Sequence, residues 1–223
     1  MLSWLIPRTG LKLSKNQISD YVLYIAIGAL IGARAIYVII YHPSYFLTYP
    51  LEAFYIWQGG LSFHGGLLGG VCAGYLFCRK HHVDIWRMAD VSVIPLALAL
   101  ALGRVANFIN AELVGRVTSV SWCVEFPTAD GCRHPSQLYA SAKNLVLFFT
   151  ILILHLKTEL KSGYLFAYFL IGYGTARFIV EFFRQPDMQL GFILFGLSMG
   201  QLLSIAVIAI GVYVLHLRRG TAS

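Results

Sequence analysis

Residues 164–183 read YLFAYFLIGYGTARFIVEFF, and this stretch decides the kind of protein the chain is. No charge occurs in it before Arg177. Its length meets the roughly 20 apolar residues that a helix rising 1.5 Å per residue needs to cross a bilayer core. Working outward, runs of the same kind occupy residues 21–40, 61–77, 88–109, 138–156 and 192–215, the second and fourth interrupted by His64 and Lys143. Six such runs predict an all-α polytopic membrane protein with six transmembrane helices.

Composition supports the same class. The 223 residues are 58% hydrophobic and 12% charged, with a mean hydropathy of +0.70. Soluble domains carry about 25% charged residues, so this chain cannot cover a water-facing surface. At this length a single integral-membrane domain over residues 1–223 is the expected unit. The net charge of +7 does not point to nucleic acid, because the basic residues fall in short clusters between apolar runs. The four cysteines form no CxxC pair and no Cys/His set with zinc spacing, so no metal and no cofactor is expected. Residues 1–19 contain Arg8, Lys12 and Lys15 without a sustained apolar core, unlike a signal peptide.

Lysine and arginine placement orients the spans. Three precede the first run (Arg8, Lys12, Lys15), three lie at 78–87 (Arg79, Lys80, Arg87), two at 157–162 and two in the tail (Arg218, Arg219). The opposite side has Arg116, Arg133 and Arg184, with Lys143 at the border. Both termini are therefore expected in the cytoplasm, and an even number of spans satisfies that. The loop at about 110–137 then faces outward. It holds Cys123 and Cys132, which either pair in an oxidising compartment or remain free thiols. Glycines four apart (Gly28/Gly32, Gly66/Gly70, Gly70/Gly74, Gly196/Gly200) suit close approach of membrane helices.

Charge inside the apolar runs is the functional signal. Arg34, Arg104 and Arg177 each cost about 2.5–3.5 kcal/mol on insertion scales, and Glu181 adds to that. Tyr173, Arg177 and Glu181 are spaced i, i+4, i+8 and form one stripe of a helix, with Arg184 beyond. Two readings stay open for this stripe: a neutralised pair that pins packing, or a ligand site. GRVANFINAELVGR gathers Arg104, Asn107, Asn110 and Glu112 at an outward helix end, and a helix running to Glu112 would put it on the face of Arg104. The alternative is a polar helix end in the headgroup region. WQGGLSFHGGLLGG places His64 just inside the second span between glycines that leave its imidazole uncrowded. A lone histidine is usually structural, but neutral packing residues would serve here at no polar cost, so the functional reading is favoured. Cations beneath a lipid headgroup, a titratable base and an apolar bundle together suggest a phospholipid phosphate as ligand. Arg34, on the outer half of the first run, is a further candidate for that group.

At these residues the sequence resembles the phosphatidylglycerol–prolipoprotein diacylglyceryl transferases of the bacterial inner membrane. GGLSFHGGLLGG, GRVANFINAELVGR, RHPSQLYA and GYGTARFIVEFFRQPD are similar, in order, to that family's signature blocks. The resemblance implies essential roles for His64, Arg104 and Arg177. It implies that Asn107, Glu112, Tyr173, Glu181 and Arg184 line the site, and the residue reading adds Asn110. Phosphatidylglycerol and the lipobox segment of prolipoproteins are the implied substrates. The family has seven spans and an outward N-terminus, so this chain resembles it without the first helix. Ala111 stands where the family usually has Gly, and Ala140 where it often has Glu. The shorter outward loop implies a reduced periplasmic subdomain.

The implied reaction moves a diacylglyceryl group from phosphatidylglycerol to a cysteine thiol and releases glycerol 1-phosphate. A thiol is only a few per cent thiolate at neutral pH, so a base is needed, and His64 is of the residue type that suits. Arg104 and Arg177 would stabilise the departing phosphate. Glu181 would orient Arg177, and the asparagines would hold the glycerol headgroup. The rival classes are a non-enzymatic bundle that binds or transports lipid or anions, and an inactive relative.

Overall fold

The computed structural model describes residues 1–186, 192–194 and 196–220. Six long helices account for most of the chain: α1 (Lys15–Ile36), α2 (Phe63–Lys80), α3 (Ile85–Ile109), α4 (Ser136–Lys157), α5 (Tyr164–Val180) and α6 (Met199–Arg219). Each expected run corresponds to one of them, with shifted ends. By length and composition four are apolar enough to cross a membrane: α1 with its continuation to Tyr41, α3, α4 and α6. The helix α5 is apolar but has 17 residues, and α2 has 18, many of them glycine.

Three expectations need correction. The sixth run starts too early, because residues 192–194 are extended and α6 begins only at Met199, where a Ser198/Gln201 capping box satisfies its first amides. The fifth ends at Val180 rather than 183. The all-α expectation fails for four short strands, β1 (Val124–Phe126), β2 (Ala129–Arg133), β3 (Phe192–Leu194) and β4 (Leu197–Ser198), paired antiparallel as two hairpins. Backbone outside the helices must still find partners for its N–H and C=O groups, and these hairpins provide them. Residues 187 and 195 of the quoted blocks and runs lie outside the described residues.

The chain divides into two compact units, Met1–Met88 and Ala89–Ser223. In the first, α1 starts at a Ser14/Gln17 capping box and packs against α2 through glycine. A Cβ on Gly32 would overlap the Gly65 carbonyl, one on Gly65 the Gly32 carbonyl, and one on Gly28 or Gly69 the backbone of the other. The working pairs are thus Gly28/Gly32 and Gly65/Gly69. The expected Gly66 and Gly70 sit one residue out of frame, with nearest neighbours at 3.5 and 3.6 Å.

Arg34 stands at the end of α1 and is 9% exposed. Its Nε donates to Ala53 O at 2.8 Å, Nη1 to Gly59 O at 2.7 Å and Gly60 O at 3.1 Å, and Nη2 to Glu52 O at 2.6 Å. Four of its donors are therefore occupied by main-chain carbonyls of the 37–60 connection. Arg34 is a staple for that segment, and this corrects the expectation that it joins a phosphate site.

In the second unit, Asp90 of α3 is buried and accepts from Gly163 N and Phe166 N, each at 2.7 Å. A carboxylate at a helix N-terminus pairs with orphan amides and with the positive end of the dipole, and so fixes where α5 begins. Arg218 Nε donates to Ser162 O at 2.8 Å, which ties the end of α6 to the same turn. Along α5 and α6, Gly174 lets Ser204 O and Ile208 approach, and Gly211 does the same for Ala167 O and Ile171.

The connection between α3 and α4 forms a small cap over the far end of this unit. Cys123 and Cys132 are joined by a disulfide, which closes the pair left open in the sequence. The disulfide clamps the β1–β2 hairpin, where Glu125 faces Cys132. Arg116 N donates to Phe183 O, Gln185 N to Val114 O, and Gly115 bridges to Arg184. The cap is thereby bonded to the chain just after α5. A Cβ on Gly115 would overlap His134 O.

Candidate functional site

The second unit brings most of the expected site residues together. On α5, Tyr173 and Arg177 follow one another by a turn, and Glu181 caps the helix. Arg177 Nη2 lies 2.8 Å from Glu181 Oε2, and Arg184 Nη1 lies 3.8 Å from Oε1. Glu181 is buried and also accepts from Ser198 Oγ at 3.2 Å. Gly200 makes room for its carboxylate, because a Cβ there would strike it. This network holds Arg177 through its Nη2.

Arg104 approaches from α3, half-buried and within electrostatic range of Arg177, Arg184, Glu181 and Tyr173. Its Nη1 donates to Asn107 Oδ1 at 3.4 Å, and Asn107 Nδ2 donates to Glu112 Oε2 at 2.8 Å. The link from Arg104 to Glu112 therefore exists, but not as expected. The helix stops at Ile109, and Ala111 and Leu113 have φ of 53° and 54°. A left-handed turn folds Glu112 back, and its N–H donates to Asn107 O at 2.8 Å. Asn110 lies on this turn with an exposed side chain, and among the described residues no side-chain hydrogen bond joins it to the cluster. The left-handed turn favours glycine over alanine by roughly 1 kcal/mol. Ala111→Gly is thus expected to raise the midpoint of thermal unfolding by a few degrees, read by circular dichroism in micelles; a lowered midpoint would contradict the strain.

His64 belongs to the first unit, in the first turn of α2 after the Ser62 cap, with an exposed side chain beside the Phe63 ring at 5.7 Å.

Sequence reading missed part of the polar set on α4. Gln137, Ser141 and Asn144 are buried at i, i+4, i+7 spacing. Gln137 Nε2 donates to Glu112 O at 2.7 Å, and Ser141 Oγ donates to Ala101 O at 3.0 Å. Lys143 was read as a border charge that interrupts a span. Its Nζ instead lies 4.0 Å from the Tyr173 ring centroid, in range of Arg104 and Arg177. The signal was available in principle, since a lysine in mid-span has the same cost as the three arginines. Four basic side chains thus converge on a region where Glu181 is the buried carboxylate. Such an arrangement can hold an anion and stabilise charge that develops on it. Among the described residues no group of three His, Cys, Asp or Glu side chains could hold a metal ion.

Comparison with known proteins gives the same direction. Residues 1–217 match the family model described as prolipoprotein diacylglyceryl transferase. Three proteins named phosphatidylglycerol–prolipoprotein diacylglyceryl transferase are among the similar sequences. The Nitrobacter winogradskyi protein is 42% identical over 97% of this chain and 79% of its own length. The Geobacter sulfurreducens protein is 43% identical over 92% and 79%, and that of Legionella pneumophila strain Paris 43% over 97% and 85%. Matching over nearly its whole length, with the polar blocks assembled as described, the chain belongs to the prolipoprotein diacylglyceryl transferase family.

Proposed function

We propose that this chain transfers the diacylglyceryl group of phosphatidylglycerol to the lipobox cysteine thiol of prolipoproteins. The observation that carries the reading is the convergence of Arg104 and Arg177 in an apolar helical unit, with Arg177 held by Glu181 at 2.8 Å. A thiolate attacks the glycerol carbon bonded to the phosphate oxygen. The carbon–sulfur bond forms as the carbon–oxygen bond breaks, and the electron pair leaves on glycerol 1-phosphate. The leaving group gains a negative charge, which the two guanidinium groups stabilise in a low-dielectric site. Glu181 and Arg184 position Arg177, while Asn107 and Glu112 position Arg104. Tyr173 lines the site, and Asn110 is kept as a headgroup contact. The thiol proton is assigned to His64, because a histidine suits a base working near neutral pH.

The membrane arrangement in this reading is six spans in one integral domain, with both termini in the cytoplasm and the disulfide-bearing cap outside, in the bacterial inner membrane. Ten Lys and Arg residues on one side support the orientation. The 18 and 17 residues of α2 and α5 reach about 27 and 26 Å at 1.5 Å per residue, close to a bilayer core.

The test uses purified protein in liposomes with a lipobox peptide. Glycerol 1-phosphate should appear only when phosphatidylglycerol and peptide are both present, and should fall sharply in His64→Gln. Full release by His64→Gln would remove that residue from the mechanism. Movement of labelled lipid between leaflets without any release would favour the transporting bundle.

A further inference from the structure

An amine buried among cations is an arrangement that the ligand-free protein cannot favour by itself. Lys143 Nζ has essentially no solvent-accessible surface and no hydrogen-bond acceptor among the described residues. It faces the Tyr173 ring at 4.0 Å, and it lies within electrostatic range of the like charges of Arg177 and Arg104. Burying a charged group without a paired acceptor is costly, and the ring face offsets only part of that cost. Among the described residues the one buried carboxylate of the cluster, Glu181, is already engaged by Arg177, Arg184 and Ser198. Packing does not account for a lysine here, since methionine would fill the same space. What the amine lacks is an anion, placed where Arg104 and Arg177 also reach.

We propose that Lys143 is a third phosphate-binding residue, whose ammonium, seated on Tyr173, completes the anion subsite formed by Arg104 and Arg177. This rests on the transferase reading above and extends it. The shared chemistry is a phosphate ester, either the diester of the incoming lipid or the monoester that departs. In the transfer step the amine takes no proton and forms no bond to carbon. It donates a charge-assisted hydrogen bond to a phosphate oxygen, and this bond strengthens as the leaving group gains charge. Its compact charge on a flexible stem can follow that oxygen, which a rigid guanidinium fork does less well.

The experiment compares wild type, Lys143→Met and Lys143→Arg in nanodiscs of phosphatidylcholine, with and without phosphatidylglycerol, by thermal unfolding and by transfer kinetics. In phosphatidylcholine alone the methionine variant should unfold no lower than wild type, because an unpaired buried amine is gone. Its stabilisation by phosphatidylglycerol should shrink to less than half, and its KM for that lipid should rise about tenfold. The arginine variant should recover most of both. If the methionine variant loses its fold, Lys143→Gln carries the same comparison. Inhibition by soluble glycerol 1-phosphate distinguishes the sources. Loss of lipid stabilisation with inhibition intact assigns Lys143 to the diester, loss of inhibition alone assigns it to the monoester, and loss of both assigns it to phosphate throughout. A methionine variant that unfolds lower while keeping the full lipid shift and KM would make Lys143 structural and overturn the proposal. Lys143-dependent lipid stabilisation in a wild type that never transfers would keep this inference and defeat the transferase reading. Equal transfer by wild type and Lys143→Met, with the same KM, would do the reverse.

Discussion

Arg104→Ala and Arg177→Ala should each lower the rate of diacylglyceryl transfer by roughly 10²–10³-fold, equivalent to about 2.7–4 kcal/mol of barrier, by analogy with loss of one oxyanion donor. The two differ in their effect on stability. Arg104 is held by the long 3.4 Å bond to Asn107, so its removal disturbs little else. Removal of Arg177 leaves Glu181 without its 2.8 Å partner while the carboxylate stays buried, and breaking such a pair costs about 3–5 kcal/mol. That difference separates the two readings of the stripe. In Arg177→Ala/Glu181→Gln the buried charge is gone, so thermal stability should recover while transfer stays low. Recovery of transfer along with stability would mean that Arg177 only pins the helix. Arg177→Lys should also remain impaired, because an ammonium cannot reproduce the fork.

The second large effect concerns folding. Gly65→Ala should destabilise the protein by on the order of 3 kcal/mol, since the added methyl meets the Gly32 carbonyl and overpacking against backbone cannot be relieved by a rotamer change. Gly32→Ala and Gly69→Ala should behave alike, for the same reason. Gly66→Ala, one residue along the same helix, should be nearly neutral, because its nearest neighbours stand at 3.5 and 3.6 Å. Thermal unfolding in micelles, followed by fluorescence-detected gel filtration, reads both variants. Equal midpoints for the two would contradict the glycine seam.

These residues also mark what was legible in the sequence. The helices were, because a bilayer imposes a length and an apolarity that appear directly in runs of residues. The Tyr173–Arg177–Glu181 stripe was legible too, because i, i+4 spacing on a helix needs no tertiary information. Of the glycine seam, Gly28/Gly32 on α1 was read correctly, while the α2 side was read one residue out of frame. Glycines at 65, 66, 69 and 70 offer two overlapping four-residue repeats, and only the partner helix decides which is used. Glu112 was assigned to the face of Arg104 by extending a helix. It reaches that region through left-handed residues at Ala111 and Leu113, neither of which is a glycine that would announce a turn. Arg34 appeared equivalent to Arg104 and Arg177 as a charge in an apolar run. Its partners are carbonyls 18 to 26 residues away, and no sequence pattern states that a distant loop will return to cover an arginine. Lys143 was counted for orientation, since a charge near a span end and a charge facing a bundle are the same letter in the sequence.

The central claim is that this chain performs the transfer itself. The most direct test incubates the purified protein in phosphatidylglycerol liposomes with a lipobox peptide and weighs the peptide by mass spectrometry. The account predicts a diacylglyceryl adduct on the peptide cysteine that is absent with Arg104→Ala and Arg177→Ala. A peptide of unchanged mass with the wild-type protein, under conditions where that protein is folded and binds phosphatidylglycerol, would contradict it.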